Sequence, residues 1–287
     1  MRPSPNGAAR PAPHRQGRLR ALLLSAFTLG AAPILADAGE ITTIRAPSGP
    51  WIVETIHRAH APHETPLLIV GLHGYGIDQR QMATLVNVRP DLPNIYVALR
   101  GRYPAPEGGY GWFAVGLDGD RIVFDPAELT RIGDTVADLL PHLADRFGAD
   151  PARIHLVGYS QGATLALHIA LSRPDAAASV TGFAGALLPA GGDPAPSPSG
   201  PTPVLIGHGT RDPLISADDI AATRARLERA GRVVELVTHP VPHVVSRAGR
   251  ADIETWIERQ DGVAPSRRRP DIPPSDTLAT KDIGPTP

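Results

Sequence analysis

The sequence predicts one α/β domain, a mainly parallel sheet with helices on both faces. Three observations carry this. Short apolar runs of strand length alternate with helical segments along the chain, the pattern of successive βαβ units. One of those runs, Pro66 to Leu72, is apolar throughout, as a strand covered on both faces is. The chain has 287 residues, 42% of them hydrophobic and 20% charged, which suits a single soluble core.

Trp51 to Ile56 reads as an early strand, and the run ending at Leu72 leads into His73-Gly74-Tyr75-Gly76. Asn94 to Leu99 is another strand, followed by a Gly- and Pro-rich loop holding Tyr103, Tyr110, Trp112 and Phe113. The clearest helix opens on Asp125 as N-cap, with Pro126 in its first turn and Glu128 completing a capping box. Its apolar face repeats at Leu129, Ile132, Val136, Leu139, Leu140, Leu143 and Phe147, and Pro141 is expected to kink it. Then come a strand from Arg153 to Val157, a helix from Ala163 to Ser172, and a strand from Ser179 to Ala184. After a Pro/Gly/Ser loop from Pro189 to Pro203 follow a strand from Val204 to Ile206, a helix opened by Ser216, a strand from Val233 to Thr238, and a last helix from Arg247 to Arg259. Parallel sheets of this kind bind ligands at the carboxyl ends of their strands.

The two ends differ from the middle. Before Asp37 there is no acidic residue, but there are Arg2, Arg10, Arg15, Arg18 and Arg20, then an apolar run from Ala21 to Leu35. That is a signal-peptide layout, with Ala36-Asp37-Ala38 as the small-x-small cleavage pattern. The run falls short of the roughly 20 residues that span a bilayer. Residues 1–38 are therefore read as a leader, and the protein as exported to the periplasm or beyond, with no stable membrane anchor after cleavage. Residues 261–287 carry Arg267-Arg268-Arg269 and six prolines without apolar periodicity, and read as a disordered tail. The folded domain is assigned to 39–260.

Composition narrows the function. A formal net charge of −1 gives no electrostatic reason to expect a nucleic-acid partner. The absence of cysteine excludes disulfides, thiolate metal sites, cysteine nucleophiles and a lipidated N-terminal cysteine.

The chemistry centres on Gly158-Tyr159-Ser160-Gln161-Gly162, which follows a strand and opens a helix. In that setting a tight, strained turn lifts a serine hydroxyl above the sheet edge. A serine hydroxyl needs a base within hydrogen-bond reach, and the base needs an orienting group. In this arrangement the acid and then the histidine follow the serine, each after a later strand. Asp212 fits the first role, in the loop His208-Gly209-Thr210-Arg211-Asp212-Pro213. Asp218 and Asp219 read instead as first-turn acids of the helix capped by Ser216. His243 fits the second role, before the last helix; its rival His239, at a strand end, reads as structural, as do His155 and His168. Acyl transfer also needs donors for the oxyanion. The backbone amide of Gln161 supplies one and that of Tyr75 the other, where the glycines of the His73–Gly76 loop allow close approach. His73 reads as a prop for that loop.

Together, Leu72-His73-Gly74-Tyr75-Gly76, Gly158-Tyr159-Ser160-Gln161-Gly162, His208-Gly209-Thr210-Arg211-Asp212-Pro213 and His243 resemble the carboxylesterase/phospholipase family of α/β-hydrolases, which includes the acyl-protein thioesterases. The resemblance runs from about Pro66 to Arg259. It implies a small α/β-hydrolase fold, hydrolysis of carboxylic esters, thioesters or lysophospholipids, and a Ser160, Asp212, His243 triad. Trp112-Phe113 is similar to a Trp-Phe pair at the family's active site, which makes Trp112 a substrate contact. No cofactor or metal is implied, and the expected partner is a small-molecule acyl ester. Two positions depart from the family pattern: Pro242 stands where Gly often precedes the histidine, and Ala184-Gly185 where Ser-Gly is common.

Three other readings compete. A secreted binding module would keep the fold without the chemistry, which a complete triad argues against. A metal enzyme would use His57, His60 and His63, whose regular spacing falls in a Pro-containing connection with only Glu64 as a nearby carboxylate. A peptidase or polyester depolymerase would use the same fold and triad.

Overall fold

The computed structural model describes residues 39–57, 65–86, 93–106, 108–118, 121–187 and 202–262. The leader, the tail beyond 262, His60, His63 and residues 188–201 of the Pro-rich loop lie outside them. In chain order the strands are β1 (Glu40–Ala46), β2 (Gly49–His57), β3 (Leu67–Leu72), β4 (Asn94–Leu99), β5 (Tyr103–Pro104), β6 (Tyr110–Gly111), β7 (Gly116–Asp118), β8 (Arg121–Val123), β9 (Ile154–Tyr159), β10 (Ser179–Phe183), β11 (Pro203–Gly209) and β12 (Val233–His239). The helices are α1 (Gln79–Ala83), α2 (Pro126–Phe147), α3 (Gln161–Ser172), α4 (Ala217–Arg229) and α5 (Arg247–Gln260).

The central sheet has the order β1-β2-β4-β3-β9-β10-β11-β12. From β4 to β12 every neighbouring pair is parallel, while β1–β2 and β2–β4 are antiparallel. This is the α/β architecture expected, extended by an edge strand, β1, that the apolar pattern did not reveal. Only Ile44 of β1 is buried, so it carries too little apolar signal to be read.

Alternation along the strands feeds two cores. Leu68, Val70 and Leu72 of β3 join one cluster, with Leu129, Val136, Leu139 and Leu143 of α2, Leu165 and Ile169 of α3, and Ile220 and Leu227 of α4. Leu67 and Ile69 join the other, with Met82 of α1 and Ile253, Trp256 and Ile257 of α5. Each fully buried Leu, Ile or Val stabilises the fold by about 1.5–3 kcal/mol, so β3 cannot slip by one residue without exchanging one core for the other.

Two local details differ from expectation. Asp125 caps α2 by accepting from Ala127 N at 2.9 Å, but Glu128 does not complete a capping box. Its carboxylate instead accepts from Ala114 N at 3.2 Å, because the chain entering the helix folds back over its first turn. The ordered chain also continues past 260: Arg153 grips the Asp261 carboxylate with two hydrogen bonds of 2.6 Å. Burial opposes that charge, but the Arg153 hydrogen bond and the nearby His155 bring the Asp261 carboxyl down to about 2. Among the described residues no helix is long and apolar enough to cross a membrane, and no group of three or more His, Asp or Glu side chains could hold a metal.

Candidate active site

The carboxyl ends of β3, β9, β10, β11 and β12 lie side by side, so the loops leaving them meet above one edge of the sheet. Ser160 sits in the turn between β9 and α3 with φ 54 and ψ −117, a conformation that costs a non-glycine residue roughly 1–3 kcal/mol. The turn holds because Ser160 N donates to Phe183 O at 2.9 Å and Thr164 N to Ser160 O at 3.0 Å. Glycine is required on both sides. A Cβ at Gly158 would lie 2.2 Å from Gly162 O, and one at Gly162 would lie 2.1 Å from Leu72 O. The Ser160 hydroxyl makes no capping bond to its own helix and is left for another partner.

That partner is His243, whose Nε2 lies 2.8 Å from Ser160 Oγ. Its Nδ1 lies 2.7 Å from Asp212 Oδ2. The loop after β11 and the loop after β12 are laced together: Thr210 N donates to His239 O, Arg211 N to Val241 O, and the Arg211 guanidinium to Pro240 O. Asp212 Oδ1 accepts from Leu214 N at 2.8 Å and Ile215 N at 3.1 Å, which locks the carboxylate. Burial opposes the Asp212 charge, but the His243 hydrogen bond and these two amides outweigh it and hold the carboxyl below its usual range. An ionised Asp212 accepts a hydrogen bond from Nδ1–H of His243, which leaves the Nε2 lone pair facing the serine.

The other predicted residues separate. Gly74 packs against Ser160, since a Cβ there would lie 3.2 Å from Ser160 Cβ, and Tyr75 and Gln161 line the same cavity as Ser160 and His243. His239 turns away to Asp252, at 2.8 Å. His73 is fully buried under its loop: Nε2 accepts from Gly101 N at 2.8 Å, so the ring proton is on Nδ1, which donates to Gly74 O at 2.6 Å. Burial lowers its pKa to about 4, which keeps the ring neutral.

Trp112 is a correction. It does not line the cavity, being 3% exposed with its ring against His73 and Trp51 and its Nε1 donating to His73 O at 2.8 Å. A buried indole must satisfy its N–H, and the partner it finds is His73 O, within the His73–Gly76 loop, rather than a group beside Ser160. Its neighbour Phe113 takes the wall position.

Sequence reasoning missed several contributors. Tyr159, inside the nucleophile turn, donates its hydroxyl to His243 O at 2.8 Å and lays its ring 5.6 Å from the imidazole. The Gln161 side chain accepts from Trp112 N at 2.9 Å and donates to Phe113 O at 2.8 Å. Beside Phe113, the β7–β8 hairpin and the segment after Asp212 supply Ile122, Phe124, Leu214 and Ile215 as apolar wall. A larger groove of about 810 Å³, between Ser48 and the outer face of α2, shares no lining residue with this cavity and holds none of these groups.

The chain is similar to known esterases and carboxylesterases. A family model described as phospholipase/carboxylesterase matches residues 53–260. The candidate esterase NocK of Nocardia uniformis subsp. tsuyamanensis is 29% identical over 215 residues, covering 71% of this chain; the chain spans 57% of NocK. The crystal structure of a carboxylesterase from Mesorhizobium loti aligns with a TM-score of 0.63 at 23% identity, covering 76% of this chain and 98% of that one. Esterase PE8 aligns at 0.60 and 24% identity, covering 77% and 98%. These structures share the α/β-hydrolase fold. With the matched region running from within β2 to the end of α5 and enclosing the Ser160 turn, the chain belongs to the phospholipase/carboxylesterase family.

Proposed function

We propose that the protein is a serine hydrolase that cleaves carboxylic esters of short acyl groups. The observation that carries this reading is the continuous relay from Ser160 Oγ through His243 to Asp212, at 2.8 and 2.7 Å. His243 Nε2 takes the Ser160 proton as Oγ attacks the ester carbonyl, and the imidazolium is stabilised by Asp212. The oxyanion is held by the backbone amides of Gln161, at the N-terminus of α3, and Tyr75, each worth about 3 kcal/mol when well placed. His243 returns the proton to the departing alcohol, leaving an acyl-Ser160 ester. Water activated by the same His243 then releases the acid and regenerates the hydroxyl.

The wall sets the acyl group. The cavity beside Ser160 is small, about 40 Å³. With Phe113, Val115, Ile122, Phe124, Leu214 and Ile215 around it, that apolar space suits a short acyl chain. A thiol leaving group fits the same chemistry, since His243 can return the proton to sulfur as to oxygen. The basic and apolar leader supports placing this activity outside the cytoplasm.

Ser160→Ala tests the reading. Turnover of p-nitrophenyl butyrate falls by several orders of magnitude while the circular dichroism spectrum is retained, because the hydroxyl fills no core space. Unchanged hydrolysis would remove Ser160 from the mechanism.

A further inference from the structure

We infer that the Gln161 side chain is a positioning residue that holds the two oxyanion donors in register, an inference that rests on the esterase reading. The donors belong to different elements. Gln161 N lies at the start of α3, whereas Tyr75 lies three residues beyond the end of β3. Pairing of β3 with β9 fixes the strand ends, with Leu72 opposite Gly158, but does not reach Tyr75.

What reaches it is the segment from Gly101 to Phe113. Gly76 N donates to Tyr110 O at 2.9 Å and Tyr110 N to Ile77 O at 2.9 Å. Trp112 Nε1 donates to His73 O and Gly101 N to His73 Nε2, both at 2.8 Å. The oxyanion loop is thus sewn to this segment on both sides of Tyr75. The segment in turn is fastened to the nucleophile helix by the Gln161 carboxamide, through Trp112 N and Phe113 O. Gly111 is the pinch point: a Cβ there would lie 2.8 Å from the Tyr75 ring and 3.0 Å from Gln161 Oε1, so its backbone is clasped between them.

The two bonds demand one acceptor and one donor on a single planar group. A carboxamide of this length supplies both. A methionine supplies neither, and an ionised glutamate would set a second acceptor against Phe113 O. A protonated glutamate restores the pattern, its hydroxyl donating where Nε2 did.

The test is steady-state hydrolysis of p-nitrophenyl butyrate by the full chain, with Gln161→Met and Gln161→Glu, across a range of about pH 5 to 8. Gln161→Met is expected to lower kcat and kcat/KM together, by about ten- to a hundredfold, with KM little changed. For Gln161→Glu the activity relative to wild type is expected to rise as pH falls, because a buried carboxyl beside a carbonyl oxygen protonates above its ordinary range. The trend of that ratio with pH needs only the folded glutamate variant and the wild type, so it remains decisive if the methionine variant misfolds. A Gln161→Glu ratio independent of pH, or a Gln161→Met variant with raised KM and wild-type kcat, overturns the inference. No ester hydrolysis by the wild-type chain overturns the esterase reading, and this inference with it.

Discussion

Ser160 holds a strained backbone so that its hydroxyl faces His243, and residues that never meet a substrate sustain that arrangement. Tyr159 braces the His243 backbone, Asp212 orients its ring, and His73 props the loop behind Gly74. His73 has a consequence for stability. Its pKa is lowered by burial from 6.5 to about 4 in the folded chain, so on unfolding it takes up a proton anywhere between those values. Its contribution is complete above about pH 6.5, is lost as pH falls to about 4, and is on the order of 3 kcal/mol. His168, also held low by burial, acts with the same sign, whereas Asp261 acts only below the ordinary carboxylate range. Denaturant midpoints should therefore fall as pH drops through that window. His73→Gln, which keeps an acceptor for Gly101 N, should flatten the decline; an unchanged slope would show that His73 does not titrate as described.

At the scale of elements, the β7–β8 hairpin lends Ile122 to the wall of the cavity beside Ser160, the proposed acyl site. Phe124, immediately after β8, meets Phe113 with ring centroids 5.1 Å apart, and both line the cavity. Phe124→Ala should open the cavity to longer chains. The ratio of kcat/KM for p-nitrophenyl octanoate to that for the butyrate is expected to rise about tenfold; a ratio equal to wild type would place the length limit elsewhere. The hairpin was not legible in the sequence, since its strands are three residues each and lie among glycines. The inner strands of the sheet were legible because burial on both faces leaves an unbroken apolar run, as in β3, whereas the edge strand β1 has a single buried residue. The capping role assigned to Glu128 failed because a first-turn carboxylate takes whichever amide tertiary structure brings to it. The assignment of Trp112 failed similarly: the family resemblance marks the Trp112-Phe113 pair, but only packing decides which ring lines the cavity.

Over the whole molecule, order along the chain becomes proximity. Strands β9, β10, β11 and β12 are parallel neighbours, so the loops that follow them collect residues 160, 212 and 243 at one edge although 83 positions separate the serine from the histidine. The relay could be read from the sequence because the fold obliges acid and histidine to follow the nucleophile at later strand ends. The supporting bonds of Gln161 and Tyr159 could not, since they cross between segments that no local pattern connects. At the opposite end of the sheet, the Arg153–Asp261 pair fastens the exit of α5 to the start of β9, closing the domain away from the site. The most direct test of the relay is to treat the intact protein with a fluorophosphonate probe and locate the adduct by peptide mass spectrometry. The predicted result is one adduct, on Ser160, nearly abolished by His243→Ala; folded protein that stays unlabelled, or that is labelled at another serine, would contradict it.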